Sequence, residues 1–252
     1  MRLISLNVWL GQVYEPLIAF LNQHLTDTDI FCFQEVYDEP GGKPPKRSLY
    51  AELYFEGKPD IYRRLLDHAQ EFNGFISKPY SSLNERLAFL VRKSIKVNGS
   101  GEMVVSGTSH TVSHGKPFAF TPRLYWISFM HGRNSMTVAN VHGLWIKDSK
   151  IDTPERIEQS RRIMKFIAGK DGGKILCGDF NLDIGTESIH MLENGMVNLI
   201  KEHGITSTRS RLYAKESKFA DYVFISNGIK TRHFEVIDVR ISDHLPLLLD
   251  FG

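Results

Sequence analysis

The sequence predicts an α/β protein in which mixed β-sheets are covered on the outside by helices. Short runs rich in β-branched and aromatic residues recur along the 252 residues, and amphipathic helical patterns lie between them. From Arg123 to Val141, two strand-like runs follow one another without a helix between them. Interleaved strands and helices, together with such directly consecutive strands, are typical of mixed sheets with helices outside.

Seven short runs are predicted to be strands, most of them apolar enough to be buried on both faces. They are Leu3–Val8, Asp29–Glu35, Leu87–Val91, Tyr125–Phe129, Met136–His142, Lys174–Asp179 and Tyr222–Ile225. The two cysteines, Cys32 and Cys177, each lie inside one of these runs. This position favours reduced, buried thiols over a disulfide.

Two helices are predicted between the strands. Apolar residues at three- and four-residue spacing indicate a helix from Ile61 to Phe72. The second helix is marked at both ends: Thr153 is a suitable N-cap, Pro154 occupies the first helical position, and Gly169 follows as a stop signal.

The composition is that of a globular protein, since 42% of the residues are hydrophobic and 24% are charged. No stretch with the composition of a linker divides the chain, so we expect a single domain over residues 1–252. The Pro/Gly-rich segment from Glu39 to Lys46 is too short to separate two domains, and it is predicted to be a surface loop.

Charge and hydropathy exclude several classes of protein. No run approaches the roughly 20 consecutive apolar residues that a membrane-spanning helix needs. No secretory signal precedes the first apolar run, so we expect a cytoplasmic protein. The 31 basic and 29 acidic residues leave a net charge of +2, which is too small for a strong overall attraction to nucleic acid or membranes. No protein partner is implied, and the oligomeric state stays open.

Polar residues that can bind metals or move protons stand at one end of five predicted strands. They are Asn7, Glu35, His142, Asp179 and Asn181, which follow apolar runs, and Asp243 and His244, which precede the run from Leu245 to Leu249. In α/β sheets, strand ends deliver side chains to a shared rim where ligand sites usually form. We therefore expect these residues to converge.

Their chemistry indicates a hard metal ion and a proton acceptor. Carboxylate and amide oxygens suit Mg²⁺ or Mn²⁺ better than zinc, which prefers cysteine and histidine. Such an ion needs only one or two protein carboxylates, so Glu35 and Asp243 would suffice. His244 is the candidate base that takes a proton from water, since a histidine with a buried acidic partner can be oriented for that task.

Six short motifs carry a resemblance to a known family. They are ISLNVW (4–9), FQEV (33–36), NVHG (140–143), GDFN (178–181), ADYVFIS (220–226) and SDHLP (242–246). In this order they resemble the endonuclease/exonuclease/phosphatase superfamily, which includes deoxyribonuclease-type nucleases, mRNA deadenylases, neutral sphingomyelinases and inositol polyphosphate phosphatases. The resemblance covers residues 4 to 246 and implies a four-layer sandwich of two mixed β-sheets packed face to face with helices on the outside.

The same resemblance implies a role for each motif residue. Glu35 would be the main metal ligand, Asn7 a ligand or its close partner, and Asp243 would lie at the metal rim. Asp179 and Asn181 would position the attacking water and a phosphate oxygen. His142 would stabilise the phosphate or assist the leaving group, and Asp221 would orient His244. Some relatives have an acidic residue where this chain has Trp9, which leaves the number and placement of metal ions open.

The function implied is that of an Mg²⁺- or Mn²⁺-dependent phosphoric ester hydrolase with a phosphate ester as its substrate. A phosphodiester in nucleic acid is the first expectation. A phospholipid or sphingomyelin phosphodiesterase, or an inositol phosphate phosphatase, is the alternative. A third hypothesis is a catalytically silent binding module. Such a module would be expected to have lost Glu35, Asp179 or His244, and all three are present.

Two further features of the sequence allow more than one interpretation. Trp9 and Trp145 each lie two or three residues beyond a motif residue, so they either flank the cleft and stack on a base or lipid, or pack in the core. Lys43, Lys46 and Arg47 form a basic group that could contact a phosphate backbone, although solvation in a loop is the commoner role.

His110 and His114 have the four-residue spacing that binds metals on a helix. Their surroundings are rich in serine, threonine and glycine, which predicts a strand end and a loop with exposed histidines instead.

Overall fold

The chain folds into two six-stranded β-sheets accompanied by helices, as seen in a computed structural model that describes residues 1–39, 57–113 and 116–252. The strands are β1 (Arg2–Asn7), β2 (Ile30–Val36), β3 (Phe72–Ile76), β4 (Arg86–Arg92), β5 (Val97–Val104), β6 (Ser109–Ser113), β7 (Lys116–Phe120), β8 (Arg123–His131), β9 (Asn134–His142), β10 (Gly173–Asp179), β11 (Met196–Asn198), β12 (Asp221–Ser226), β13 (Thr231–Val236) and β14 (Leu247–Phe251). The helices are α1 (Tyr14–His24), α2 (Ile61–His68), α3 (Pro154–Ala168), α4 (Glu187–Glu193) and α5 (Leu199–Glu202), with a 3-10 turn at Trp9–Gly11.

The two sheets are built alike and face each other. Their strand orders are β13-β14-β1-β2-β4-β3 and β11-β12-β10-β9-β8-β5. In each sheet the two central strands, β1 with β2 and β9 with β10, are parallel, and their outer neighbours are antiparallel. Strand β1 packs against β10, and β2 packs against β9 and β10. The predicted sandwich of two mixed sheets is confirmed.

A buried polar bridge crosses the apolar core between the sheets. Gln34 of β2 donates from Nε2 to Asn140 Oδ1 of β9 at 2.7 Å, and Asn140 Nδ2 donates to the Phe33 carbonyl at 2.9 Å. Breaking these hydrogen bonds would leave further buried amide groups unpaired, so the pair favours one relative position of the two sheets. Cys32 and Cys177 lie in the same layer as free, buried thiols.

All seven predicted strands are present, with end points shifted by at most two residues. Helix α3 is also confirmed: Thr153 Oγ1 accepts the Arg156 amide N–H at 3.3 Å, and the helix ends immediately before Gly169. The other predicted helix is too long by four residues, since α2 ends at His68. Phe72 instead begins β3, where it pairs with Arg92 of β4.

The prediction for the segment around His110 is confirmed in part. His110 lies within β6, which pairs with β7 in a two-stranded sheet, and its side chain is exposed. His114 and the basic group of Lys43, Lys46 and Arg47 lie outside the described residues. None of the described helices is long and apolar enough to cross a membrane.

Strand register brings the motif residues to one edge. Asn7, Glu35, His142 and Asp179 end the parallel strands of the two sheets or stand one residue before the end. Asp221 begins β12 antiparallel to β10 and pairs with Asp179. Since β14 runs antiparallel to β1, the segment just before it arrives at the same edge.

The glycine of the GDFN motif lies where the backbones of two neighbouring strands approach each other closely. Gly178 has φ +129°, and a Cβ there would lie 2.2 Å from the Val141 carbonyl oxygen of the neighbouring strand. Gly178→Ala should lower the free energy of unfolding by about 2–4 kcal/mol, because backbone strain and overpacking each cost about 1–3 kcal/mol. Denaturant unfolding measures this. The control is Gly185→Ala, where a Cβ meets nothing within 4 Å. Equal stabilities of the two variants would contradict the strain at Gly178.

Candidate active site

The eight residues predicted for the site gather around one cleft of about 530 Å³. Glu35, Asp179, Asn181, Asp243 and His244 line it. The other three lie directly behind these residues, because Asn7 hydrogen-bonds Glu35, Asp221 hydrogen-bonds His244, and His142 Nε2 lies 3.6 Å from Asp179 Oδ2. The convergence expected from the strand ends is therefore observed.

Glu35 is turned toward the cleft by an irregularity in β2. Pairing with β4 shifts register between Phe33 and Val36, and Glu35 has a left-handed backbone with φ +53°. Bulges of this kind redirect a side chain at a sheet edge. The Glu35 amide N–H donates to the Tyr80 hydroxyl at 3.0 Å, while its Oε1 accepts from Asn7 Nδ2 at 2.9 Å. The strained residue is thus held from both sides.

Asp179 is the buried anion at the centre of the cleft. Its Oδ1 accepts the Asn181 amide N–H at 2.8 Å, and its Oδ2 accepts from Asn7 Nδ2 at 3.1 Å. Burial alone would raise the pKa of Asp179, but the histidines and cations around it, His244 foremost, hold that pKa well below its usual range. This carboxyl stays ionised at neutral pH.

His142 is fixed by aromatic neighbours and one hydroxyl. Its Nδ1 lies 2.7 Å from the Tyr80 hydroxyl, and the rings of Tyr80 and Phe120 both contact its ring edge to face. Its Nε2 lies 3.6 Å from Asp179 Oδ2 and 3.8 Å from Glu35 Oε1, and these carboxylates favour a proton on Nε2, with the Tyr80 hydroxyl donating to Nδ1. Burial lowers the pKa of His142 to about 4, so the ring is neutral.

His244 forms a buried pair with Asp221. Its Nδ1 lies 2.8 Å from both carboxylate oxygens of Asp221, and its Nε2 lies 3.6 Å from Asp179 Oδ2. The paired carboxylate accepts the proton of Nδ1 and so leaves a lone pair on Nε2, the nitrogen that faces the cleft. Burial raises the pKa of the Asp221 carboxyl, and the contact with His244 opposes that rise.

Three further residues of the site carry no recognisable sequence signal. They are Tyr80, Lys150 and Arg209, which all come from irregular segments. Lys150 Nζ donates to Asn181 Oδ1, and burial lowers the pKa of this lysine to about 8. Arg209 Nη1 donates to His244 Nε2 and lies 3.3 Å from Asp243 Oδ2.

The donor set fits a hard divalent cation. Ligand atoms of Glu35, His142 and Asp179 lie within 4.8 Å of one another. The carboxylates of Glu35 and Asp179 are the members of this group that can bind an ion while Nε2 of His142 carries a proton. Burial and the charges of Glu85 and Asp243 raise the pKa of Glu35 well above its usual range, a repulsion that a bound cation would relieve. Oxygen-rich sets of this kind suit Mg²⁺ or Mn²⁺.

The three predicted metal ligands have different positions relative to this cluster. Glu35 belongs to it, and Asp243 lies near enough to raise the pKa of Glu35. Asn7 directs its NH₂ group toward Glu35 and Asp179, while its Oδ1 accepts the Trp9 amide N–H at 2.9 Å. The Asn7 amide therefore acts here as a hydrogen-bond donor that joins the two carboxylates.

The walls of the cleft are aromatic and charged. Trp9, Trp145 and Tyr213 all line it, which places both tryptophans at the cleft. An ion pair at 2.5 Å between Asp148 and Lys215 joins two loops that both line the cleft. A ligand in this cleft would meet flat apolar rings as well as charges.

Comparisons with known proteins find a family match and solved structures of the same fold. The model of the Endonuclease/Exonuclease/phosphatase family matches residues 4–244. No curated protein sequence matches significantly. Three solved structures illustrate the fold, each matched over 100% of this chain. They are the mannosyl-6-phosphatase of Bacteroides thetaiotaomicron (15% identity, 99% of that chain, TM-score 0.71), the human Nocturnin catalytic domain with bound sulfate (18%, 93%, 0.70), and D. rerio TDP2 complexed with single-strand DNA product (16%, 98%, 0.66).

The hydrogen bond between Tyr80 and His142 can be tested without any assay of activity. Nitrogen NMR of the metal-free protein should show a neutral His142 ring protonated on Nε2, down to about pH 5. Tyr80→Phe removes the hydroxyl and should give a mixture of the two neutral tautomers. It should also lower stability by about 1–3 kcal/mol, because buried polar groups lose a partner. Tyr213→Phe, at the cleft but away from His142, is the control. An unchanged tautomer in Tyr80→Phe would refute the assignment.

Proposed function

The chain belongs to the endonuclease/exonuclease/phosphatase family, and from that membership we propose that it is a metal-dependent hydrolase of phosphate esters. The observation that carries the proposal is the buried pair of Asp221 and His244, whose Nε2 lies 3.6 Å from the carboxylate of Asp179 in the cleft. A histidine held by one carboxylate beside a second anion can orient and deprotonate a water molecule.

We propose Glu35 as the principal protein ligand of Mg²⁺ or Mn²⁺, with Asp243 at the rim and Asn7 holding Glu35 in place. A divalent ion supplies Lewis acidity to a phosphate oxygen and charge neutralisation to the leaving oxygen. Few protein ligands are needed, because such ions keep positions for water and substrate. The carboxylates and the hydrogen-bonding amide in this chain meet that requirement.

His244 and Asp179 would act on the attacking water. The lone pair of His244 Nε2 accepts a proton from the water as its oxygen forms a bond to phosphorus. Asp221 stabilises the imidazolium that results, since its carboxylate stays bonded to Nδ1. Asp179 and Asn181 orient the water and a phosphate oxygen, as their fixed positions at the strand end permit.

His142 would act from behind the two carboxylates. Its neutral ring directs a protonated Nε2 toward Asp179 and Glu35, which line the cleft, and burial with the Tyr80 hydroxyl keeps it in that form. A neutral donor can stabilise the negative charge that develops on a phosphate or leaving oxygen without first losing a proton. Breaking the ester bond leaves an oxygen that takes its proton from solvent, while the His244 imidazolium returns its proton to solvent.

A phosphodiester in nucleic acid is the substrate class that we put first. Trp9, Trp145 and Tyr213 line the cleft, and rings in such positions can stack on bases. Lys150, Arg209 and Lys215 add positive charge beside them. D. rerio TDP2, a structure of the same fold, is complexed with a single-strand DNA product.

A small phosphomonoester is the second candidate, and one observation favours it. The ion pair between Asp148 and Lys215 joins two loops that line a cleft of about 530 Å³, a volume that suits a small ligand. The mannosyl-6-phosphatase of Bacteroides thetaiotaomicron has the same fold. Lipid and inositol phosphate substrates belong to this second group of tests.

A substrate panel with and without metal tests the proposed function. It contains single- and double-stranded DNA, RNA, sphingomyelin, inositol phosphates, sugar phosphates and synthetic mono- and diesters. We expect turnover with Mg²⁺ or Mn²⁺, none with EDTA, and the highest rate on DNA or RNA. The Glu35→Gln variant should need a much higher metal concentration for half-maximal activity, because a neutral amide is a poorer ligand than a carboxylate.

Asp67→Asn, a change in a carboxylate of α2 outside the site, is the control for the panel. Turnover of lipid or sugar phosphates alone would reject the nucleic-acid substrate. If the folded wild-type protein hydrolysed none of these esters, the result would favour the silent binding module.

A double-variant cycle tests the proposed proton acceptor. His244→Ala should lower kcat by roughly 100- to 10,000-fold, the loss typical of a general base. Asp221→Asn should lose less. Because Asp221 acts only through His244, the double variant should be scarcely slower than His244→Ala alone. Steady-state kinetics at saturating metal measure all three variants. If the loss of kcat in the double variant instead equalled the product of the two single losses, Asp221 would not act through His244, and Asp179 would become the candidate base.

A further inference from the structure

Arg209 occupies an unusual position for an arginine. Its side chain is only 6% exposed, and its Nη1 donates a hydrogen bond to Nε2 of His244, the nitrogen that faces the cleft. The same Nη1 lies 3.3 Å from Asp243 Oδ2, and the guanidinium stacks on the Tyr213 ring at 4.1 Å from its centroid. A cation therefore covers the lone pair of the histidine proposed as the proton acceptor.

The contacts of Arg209 do not use its full capacity. A guanidinium carries five N–H donors, and its Nε is buried without a hydrogen-bond partner. Leaving a buried donor unpaired costs free energy unless a ligand or water meets it. Arg209 also lines the cleft, so a ligand there can reach it.

Lys150 is a second cation with spare capacity. Its Nζ donates to the neutral Asn181 Oδ1, and no carboxylate among residues 1–39, 57–113 and 116–252 forms an ion pair with it. Lys150 and Arg209 both lower the pKa of Asp179, and Arg209 also lowers the pKa of Lys150. The two cations therefore approach the same central carboxylate through different neighbours, Asn181 for Lys150 and His244 for Arg209.

Charge gives a reason for this pair. Glu35, Asp179 and Asp243 line the cleft as acidic residues, and their field repels an approaching phosphate. A divalent ion offsets part of that field. Two further cations beside Asp179 would make the place where phosphorus must lie attractive to an anion.

We propose that Lys150 and Arg209 form a two-cation clamp for the phosphate group, and that Arg209 covers His244 Nε2 until a phosphate draws it away. The inference rests on the proposed function and assigns it two residues outside the six sequence motifs. Phosphate oxygens accept paired N–H bonds from arginine more strongly than a neutral imidazole nitrogen does. The exchange makes and breaks only hydrogen bonds, and it leaves the Nε2 lone pair free when the substrate is in place.

Binding of inorganic phosphate to the Mg²⁺-loaded full chain tests the clamp. Arg209→Gln and Lys150→Met should each raise the Kd for phosphate by roughly 10- to 100-fold, the loss expected for a hydrogen bond between charged groups. Isothermal titration calorimetry measures it. The matched controls are Arg211→Gln and Lys147→Met, exposed cations close to the two sites in sequence, which should stay within about 2-fold by the small effects expected of surface charges.

Nitrogen NMR of His244 tests whether Arg209 leaves Nε2 when phosphate binds. In the wild type, phosphate should shift the Nε2 signal as Arg209 leaves it, whereas in Arg209→Gln the signal should already be shifted before phosphate is added. Arg209→Lys keeps a cation without the paired donors and should lie between the two. This variant also supplies the answer if Arg209→Gln does not fold.

The outcomes separate this inference from the proposed function. Phosphate affinity in Arg209→Gln equal to that of Arg211→Gln, or a His244 signal indifferent to phosphate, would overturn the clamp while wild-type turnover upheld the hydrolase. The expected phosphate and NMR results in a chain that hydrolyses no ester would support an anion site and reject the hydrolase.

Discussion

One amide joins the two halves of this molecule at the place where its chemistry is concentrated. Asn7 Nδ2 donates to Glu35 in the first sheet at 2.9 Å and to Asp179 in the second sheet at 3.1 Å. A short side chain can reach both carboxylates only if the two sheets keep one relative position. The bridge between Gln34 and Asn140 sets that position inside the core, where an unsatisfied amide would be costly. The spacing of these two carboxyl groups is therefore a property of the whole sandwich.

The sequence predicts the centre of each sheet better than its borders. Central strands such as β2 and β10 are covered on both faces, so they appear as continuous apolar runs. Border strands such as β5 and β13 are half exposed, and β5 contains two glycines, so neither has a clear strand pattern. The motif residues stand at the ends of the central strands or directly beside them, which explains why most of the site could be predicted together with the fold.

Residues outside regular structure escaped prediction for a physical reason. Lys150 reaches the cleft because Arg156, a fully buried arginine of α3, donates to the carbonyls of Leu144, Ser149 and Ile151 and so shapes the loop before the helix. The position of the lysine depends on these long side-chain contacts, which leave no periodic pattern. Arg209 is held in the same way by the ring of Tyr213 and by Asp243, thirty-four residues later in the chain.

The site residues at strand ends and those on loops also differ in charge. The carboxylates that suit a metal ion stand at or beside strand ends, where the backbone is rigid and anions can be held close together despite their repulsion. The cations that face them belong to loops, as do Trp145 and Tyr213 at the walls. Rigid anions define where a metal and a water can act, whereas cations on loops decide which anion is admitted beside them. A change of substrate among proteins of this fold can therefore proceed through the loops at 144–151 and 207–217 while the strand ends stay as they are.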